Sequence, residues 1–201
     1  MVVKGVKELR KEYFKRKSLI KKRLNEFKKN KDIFYELCFC ILTPQSNAKK
    51  CYEAVRILKE KDFLNKDFDV KPVLRTRTRF YKNKAKYLAL AKNNFSEIRK
   101  YLDKTGFEAR EDLVKNVKGI SYKETSHYLR NTGYRNLAIL DRHILKNLHK
   151  HNVIEILPKH LNKKIYLDIE RRFALFSKIA KIPMDELDLL FWSIETGRIF
   201  R

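Results

Sequence analysis

Proline and glycine are scarce in this 201-residue chain, with four and five copies. Apolar residues recur at helical spacing between these few breakers, which points to an all-α protein. Cysteine is scarcer: Cys38, Cys40 and Cys51, all in one early segment. An odd number of thiols in an apolar stretch argues against a disulfide framework and reads as core packing. No apolar run reaches about 18 residues and no signal peptide opens the chain, so a soluble, intracellular protein without membrane partners is expected. Acidic residues are half as numerous as basic ones, 24 against 48, giving a net charge of +24. Such an excess repels itself in a compact fold and favours a polyanionic partner. The plainer accounts of the charge are a ribosomal or generic RNA-binding protein, or simply a lysine-rich proteome; nucleic acid of some kind is the favoured partner. His143, His149, His151 and His160 are spaced too irregularly for a zinc site, so no metal is expected. A chain this long buries roughly 70% of its unfolded surface and needs neither metal nor disulfide for stability.

The periodicity predicts one or two basic amphipathic helices over 6–29. A nearly all-apolar helix over 32–42, with Asp32 as N-cap, is the best candidate for the core. The Thr43-Pro44-Gln45-Ser46 turn ends it and starts another helix to about residue 60. Helices over 81–93 and 95–102 precede the most informative stretch. There, a short helix from Glu111 to Val117 runs into Lys118-Gly119-Ile120-Ser121. A second helix, Tyr122 to Asn131, stops at Gly133, a natural left-handed cap. This is a helix-hairpin-helix, whose backbone N–H groups can hold a phosphate without reading a base. Lys123 lies in the first turn of the second helix. Asp141 follows an apolar run and begins a helix over 141–150; further helices are expected over 160–178 and 184–193. Pro158 and Pro183 mark breaks.

Lys118-Gly119-Ile120-Ser121-Tyr122-Lys123-Glu124, Leu140-Asp141-Arg142-His143-Ile144, Leu189-Leu190-Phe191-Trp192 and Thr196-Gly197-Arg198-Ile199-Phe200-Arg201 resemble the helix-hairpin-helix DNA glycosylases. The likeness is strongest to the archaeal 8-oxoguanine DNA glycosylase/AP lyase group. In one respect the chain departs: Ser121 stands where such hairpins usually carry a second Gly. The resemblance implies two helical lobes with a substrate cleft between them. One lobe is 31–133; the other combines 1–30 with 134–201. Iron-sulfur members carry four cysteines near the C-terminus, and this chain has none after Cys51, so no cluster or other cofactor is expected. The implied partner is double-stranded DNA containing 8-oxoguanine or abasic sites, met by a cytoplasmic, nucleoid-associated monomer.

The resemblance also implies roles. Lys123 becomes the nucleophile, with its pKa lowered by the helix start, cationic neighbours and burial. On position alone it is one more solvated lysine. Asp141 becomes the catalytic carboxylate, and is on local grounds an ordinary N-cap; both can hold together. Phe80 and Trp192 would cover the faces of a flipped base, with core packing as the plainer role for each. Arg201, at the end of the chain, would place a carboxylate near the N7–H of 8-oxoguanine. Its side chain departs from the Lys common in the group. Pro183 and Met184 would lie near the same pocket. Gly119, Ser121, Arg142 and His143 would serve DNA binding, with Gln45 filling the space the base leaves. His127, at i+4 from Lys123, is at most a supporting residue.

Overall fold

A computed structural model describes residues 2–199 of the chain, and every regular element among them is an α-helix. α1 (Val6–Lys28) is one continuous helix. It buries Leu9, Tyr13, Ile20, Leu24 and Phe27 while Lys7, Lys11, Lys15, Lys21 and Lys22 remain exposed. α2 (Ile33–Leu42) and α3 (Ala48–Glu60) follow, then the short α4 (Lys71–Leu74). α5 (Tyr81–Asn93), α6 (Phe95–Tyr101), α7 (Gly106–Asn116) and α8 (Tyr122–Asn131) lead to α9 (Arg142–Lys150), α10 (Lys163–Ala180) and α11 (Met184–Thr196).

Several helix ends differ from the sequence expectation, each for a local reason. Asp32 makes no capping hydrogen bond; its carboxylate instead accepts from Lys59 Nζ at 2.5 Å. α7 starts at Gly106, five residues before Glu111. Thr105 and Glu108 form a capping box there, which satisfies the first N–H groups. α10 starts at Lys163 because Asn162 accepts from the N–H of Ile165 at 2.9 Å. α11 runs to Thr196, where Gly197 at φ 71° ends it.

The chain forms two compact units. One is Lys31–Tyr128; the other combines the chain up to Asn30 with the chain from Leu129. In the first, α2 is the core, with eight of its ten residues buried, and it packs on α3 and α5. The ring of Phe34 meets those of Tyr35, Phe63 and Phe95. Cys38, Cys40 and Cys51 are buried and form no disulfide, and burial pushes the Cys51 thiol up.

In the second unit α11 packs on α1, α9 and α10. The residues from Tyr134 to Asp141 contain no helix, yet Leu137, Ala138, Ile139 and Leu140 are buried. Backbone groups buried outside a helix need other partners. Buried side chains supply them. Glu170 accepts from the Ala138 N–H at 2.8 Å, and Tyr166 Oη donates to the Ala138 carbonyl at 2.5 Å. Asp185 accepts from the Asn136 N–H at 3.2 Å. Upstream, α8 ends in a Schellman motif: Tyr134 N–H bonds the Leu129 carbonyl and Gly133 N–H that of Arg130. Gly133 has φ 105°, and a Cβ there would lie 3.2 Å from Lys28 Cα. The Arg130 guanidinium then bonds the buried carboxylate of Asp188 on α11. Burial pushes Asp188 up to about 7 against the pull of Arg130.

The N-terminal segment docks on the end of α9. His151 packs against Phe176 and Phe191, with ring centres 5.6 Å away in each case, and its Nδ1–H donates to the Lys4 carbonyl at 2.7 Å. Burial lowers the His151 pKa. The unfolded chain therefore binds a proton at higher pH than the folded one. Stability from this group is present above about pH 6.5, the ordinary histidine value, and is lost as pH falls through the lower folded value. Thermal melts between pH 7.5 and 5 should show this loss. A His151→Phe variant should have a flatter profile over that range.

Candidate functional site

The hairpin between α7 and α8 is a tight turn because of one glycine. Gly119 has φ 90°, and a Cβ there would stand 2.5 Å from the Tyr87 ring. Ser121, by contrast, is not in the left-handed region, so replacing the usual second Gly costs no backbone strain. Ser121 instead contributes to the start of α8. Its N–H donates to Glu124 Oε2 at 3.2 Å, and its hydroxyl donates to the same oxygen. This is the carboxylate half of a capping box.

The other oxygen of Glu124 meets Lys123: Nζ to Oε1 is 2.7 Å. The cationic neighbours expected around Lys123 are therefore answered at contact distance by a carboxylate. Burial pushes the Glu124 pKa up, but Lys123 and the Ser121 hydrogen bond outweigh it, and the net shift is downward. The Lys123 side chain is 32% exposed, so it neither waves in solvent nor lies in the core. It lines an opening of about 460 Å³ together with Pro44, Gln45, Gly119, Ile120, Ser121 and Glu124. His127, one turn further along α8, packs edge-on against Phe39 at 5.8 Å.

Gln45 and Phe80 are both exposed and both left-handed, at φ 53° and φ 56°. Phe80 is 54% exposed, which rules out the core-packing role for it. The Arg79 guanidinium lies 5.3 Å from its ring centre. Gln45, Phe80, Tyr87 and Gly119 border a further cavity of about 190 Å³, with Lys84 in its wall. Lys84 is buried, a placement that nothing in a lysine-rich helix announces.

The other expected groups cluster in the second unit. Asp141 is the N-cap of α9, its Oδ1 accepting from the N–H groups of His143 at 2.8 Å and Ile144 at 2.9 Å. Its Oδ2 accepts the indole N–H of Trp192 at 3.1 Å. Both oxygens are thus held by N–H donors, which fixes the orientation of the carboxylate. Trp192 is half-buried on α11, 51 positions away, and no spacing rule links the two. His143 sits 6.0 Å from the Trp192 ring, with Nδ1 3.9 Å from Glu195 Oε2. Arg142 is exposed, its Nε 3.4 Å from His143 Nε2. Met184 is buried in the core, while Pro183 borders a surface recess with Lys21, Asn25, Arg135 and Asp185. Arg201 lies outside the described residues. Among those described, no group of three or more His, Cys, Asp or Glu residues could hold a metal ion.

The structure thus gathers Gln45, Gly119, Ser121 and Lys123 around one opening, with Phe80 at the adjoining cavity. It gathers Asp141, Arg142, His143 and Trp192 at the start of α9.

Comparison with known proteins bears on this arrangement. Residues 20–182 match the family described as 8-oxoguanine DNA glycosylase. An 8-oxoguanine DNA glycosylase/AP lyase of Fusobacterium nucleatum subsp. nucleatum is 45% identical, covering 96% of each chain. One from Methanocaldococcus jannaschii is 38% identical over the full length of both. The solved structure of a Methanocaldococcus jannaschii 8-oxoguanine glycosylase/lyase in complex with 15mer DNA containing 8-oxoguanine superimposes with a TM-score of 0.86. It is 36% identical, covering 98% of this chain and 99% of that one.

The geometry at Gly119 makes a direct prediction. Gly119→Ala forces a positive φ on alanine and drives its Cβ into Tyr87, so it should cost about 1–3 kcal/mol in urea unfolding. A variant as stable as the native protein would show that the turn relaxes freely.

Proposed function

The chain belongs to the 8-oxoguanine DNA glycosylase family, and on that premise we propose how its own residues carry out the reaction. Its activity is excision of 8-oxoguanine from DNA, followed by strand cleavage at the abasic site. The observation that carries the assignment is Lys123. Its amine stands one residue inside a glycine-turn helix start, tethered by Glu124 at the mouth of an opening. That start is the element suited to gripping a phosphate, so the amine is delivered to the sugar beside it.

The target nucleotide must leave the stack, at a cost of a few kcal/mol. Attraction between the basic surface and the phosphates offsets that cost. The neutral Lys123 amine then attacks C1′ of the sugar. The C1′–N9 bond breaks and the base departs with a proton. The sugar ring opens as the amine becomes a Schiff base, and β-elimination breaks the bond from C3′ to the phosphate oxygen. Asp141 stabilises the positive charge that develops on the sugar and assists the lysine proton. The two backbone donors and the Trp192 N–H fix where the Asp141 carboxylate lies. All these steps run on side chains, with no cofactor.

Phe80 is assigned to stack on the everted purine, for which its exposed ring is suited. Trp192 offers only its ring face, because its N–H is committed to Asp141. Gln45 is assigned to the vacated space in the duplex, and Gly119, Ser121, Arg142 and His143 to the DNA strand. Arg201 is assigned to the lesion edge on the family resemblance alone. We read the working form as a cytoplasmic monomer. No described helix is long and apolar enough to cross a membrane.

Lys123→Gln should bind lesion DNA within a few-fold of the native protein and lose base release entirely. Borohydride should trap the native protein on an 8-oxoguanine duplex and leave the variant untrapped. Base release at the native rate from Lys123→Gln would remove the lysine from the chemistry. Asp141→Asn keeps the N-cap, since Asn caps as well as Asp, but turns its amide nitrogen toward the Trp192 N–H, so its melting temperature should fall by only about 2–4 °C. Its excision rate should fall by orders of magnitude. Full activity in that variant would leave Asp141 a cap and nothing more.

A further inference from the structure

Lys84 is the one lysine in α5 buried against its own unit, at 5% exposure. Its four polar partners are all neutral oxygens. Nζ donates to the carbonyls of Leu42 and Pro44, each at 2.8 Å. It also reaches Thr78 Oγ1 at 2.8 Å and Ser46 Oγ at 3.0 Å. A buried ammonium without a carboxylate partner is costly. A methionine would fill the same space at no such cost.

What the charge holds is informative. Leu42 closes α2, and its carbonyl is one of the groups a helix leaves unsatisfied at its C-terminal end. Pro44 and Ser46 flank Gln45. Thr78 begins the corner that leads to Phe80, and Ser46 Oγ accepts the Arg79 N–H at 3.0 Å. Thr78 Oγ1 also donates to the Leu42 carbonyl at 2.8 Å. Lys84 itself lies one helical turn after Phe80, its N–H bonded to the Phe80 carbonyl. Gln45 and Phe80 both hold a left-handed backbone, a strained conformation for a non-glycine residue. Such conformations persist only where the surroundings fix them.

We propose that Lys84 is a positioning residue. Its buried ammonium ties the 42–46 turn to the Thr78–Phe80 corner, so that Gln45 and Phe80 are presented to DNA as one rigid plate. Lys84 touches neither base nor sugar and acts through those two residues. The inference rests on the assignment of Gln45 and Phe80 to DNA recognition made above.

The arrangement has its own titration. Burial lowers the Lys84 pKa to about 8. The charged and titratable groups around it are Cys51 on α3, Glu124 and Lys123 on α8, and Arg79 before α5. Deprotonation leaves two N–H donors for four acceptors, so the plate should loosen as pH rises through about 8.

The test is Lys84→Met in full-length protein, with two measurements. The first is the affinity ratio for an 8-oxoguanine duplex over an undamaged one. The second is borohydride trapping on a duplex that already contains an abasic site, which requires Lys123 but no base recognition. The variant should lose about tenfold in the affinity ratio, the scale of one or two polar contacts, while its trapping yield stays within twofold of native. Equal loss in both measurements would reduce Lys84 to a fold-stability role and overturn the proposal; so would an unchanged affinity ratio. Native protein provides a reading that needs no variant to fold. Its affinity ratio should decline between pH 7 and 9, with a midpoint near 8. A flat native profile counts against the proposal. Gln45→Ala and Phe80→Ala separate the two levels of inference. If neither lowers the affinity ratio, the recognition assignment has failed. If both do and Lys84→Met does not, the positioning role alone has failed.

Discussion

The start of α8 depends on one carboxylate. Glu124 accepts from Ser121 with one oxygen and from the Lys123 amine with the other. Remove it, and the helix loses its cap while the amine loses its tether. Its burial makes that double contact matter, because a buried charge must be paired and hydrogen-bonded to persist. The same economy governs Asp141, where capping and catalytic readings that compete in the sequence are compatible in space. One oxygen caps α9, and the other accepts from Trp192 without disturbing the cap.

Acidic residues are used inside and basic ones outside. Glu36, Glu124, Glu170, Asp185, Glu186 and Asp188 are buried, six of the 24 acids, and the last five accept from named donors. Among the described lysines and arginines, only Lys84, Arg110 and Arg130 are buried. The surface is therefore more positive than composition alone conveys, which suits a protein whose substrate is a phosphate chain. The buried acids also organise the unhelical stretch that delivers Asp141. Glu170 and Asp185 satisfy the N–H groups of Ala138 and Asn136, which helps it run through a packed interior without a sheet.

Much of this was readable in advance. Helical periodicity gave the elements, and α5, α6 and α8 fall within a residue of their expected bounds. The hairpin was legible because a left-handed glycine leaves a mark in sequence at Gly119 and again at Gly133. The start of α7 is not marked by apolar periodicity, because the capping box at Thr105 lies ahead of the apolar pattern. Three features had no local signal. Trp192 bonding Asp141 is a long-range contact. The burial of Lys84 depends on carbonyls some 40 positions upstream. The ion pair of Lys123 with Glu124 joins chain neighbours, and only the fold shows that the carboxylate side of that pair is buried.

The bond from Ser121 to Glu124 sets a phase as well as a cap. Each residue of an α-helix turns the side chain by about 100°. With the carboxylate locked three places after the cap, the amine one place before it has a single azimuth. Adding or deleting one residue between Ser121 and Glu124 would swing that amine about a quarter-turn or more around the helix. The short Ser-Tyr-Lys-Glu string thus behaves as a ruler, and length within it is less tolerant of change than the identity of the tyrosine it contains.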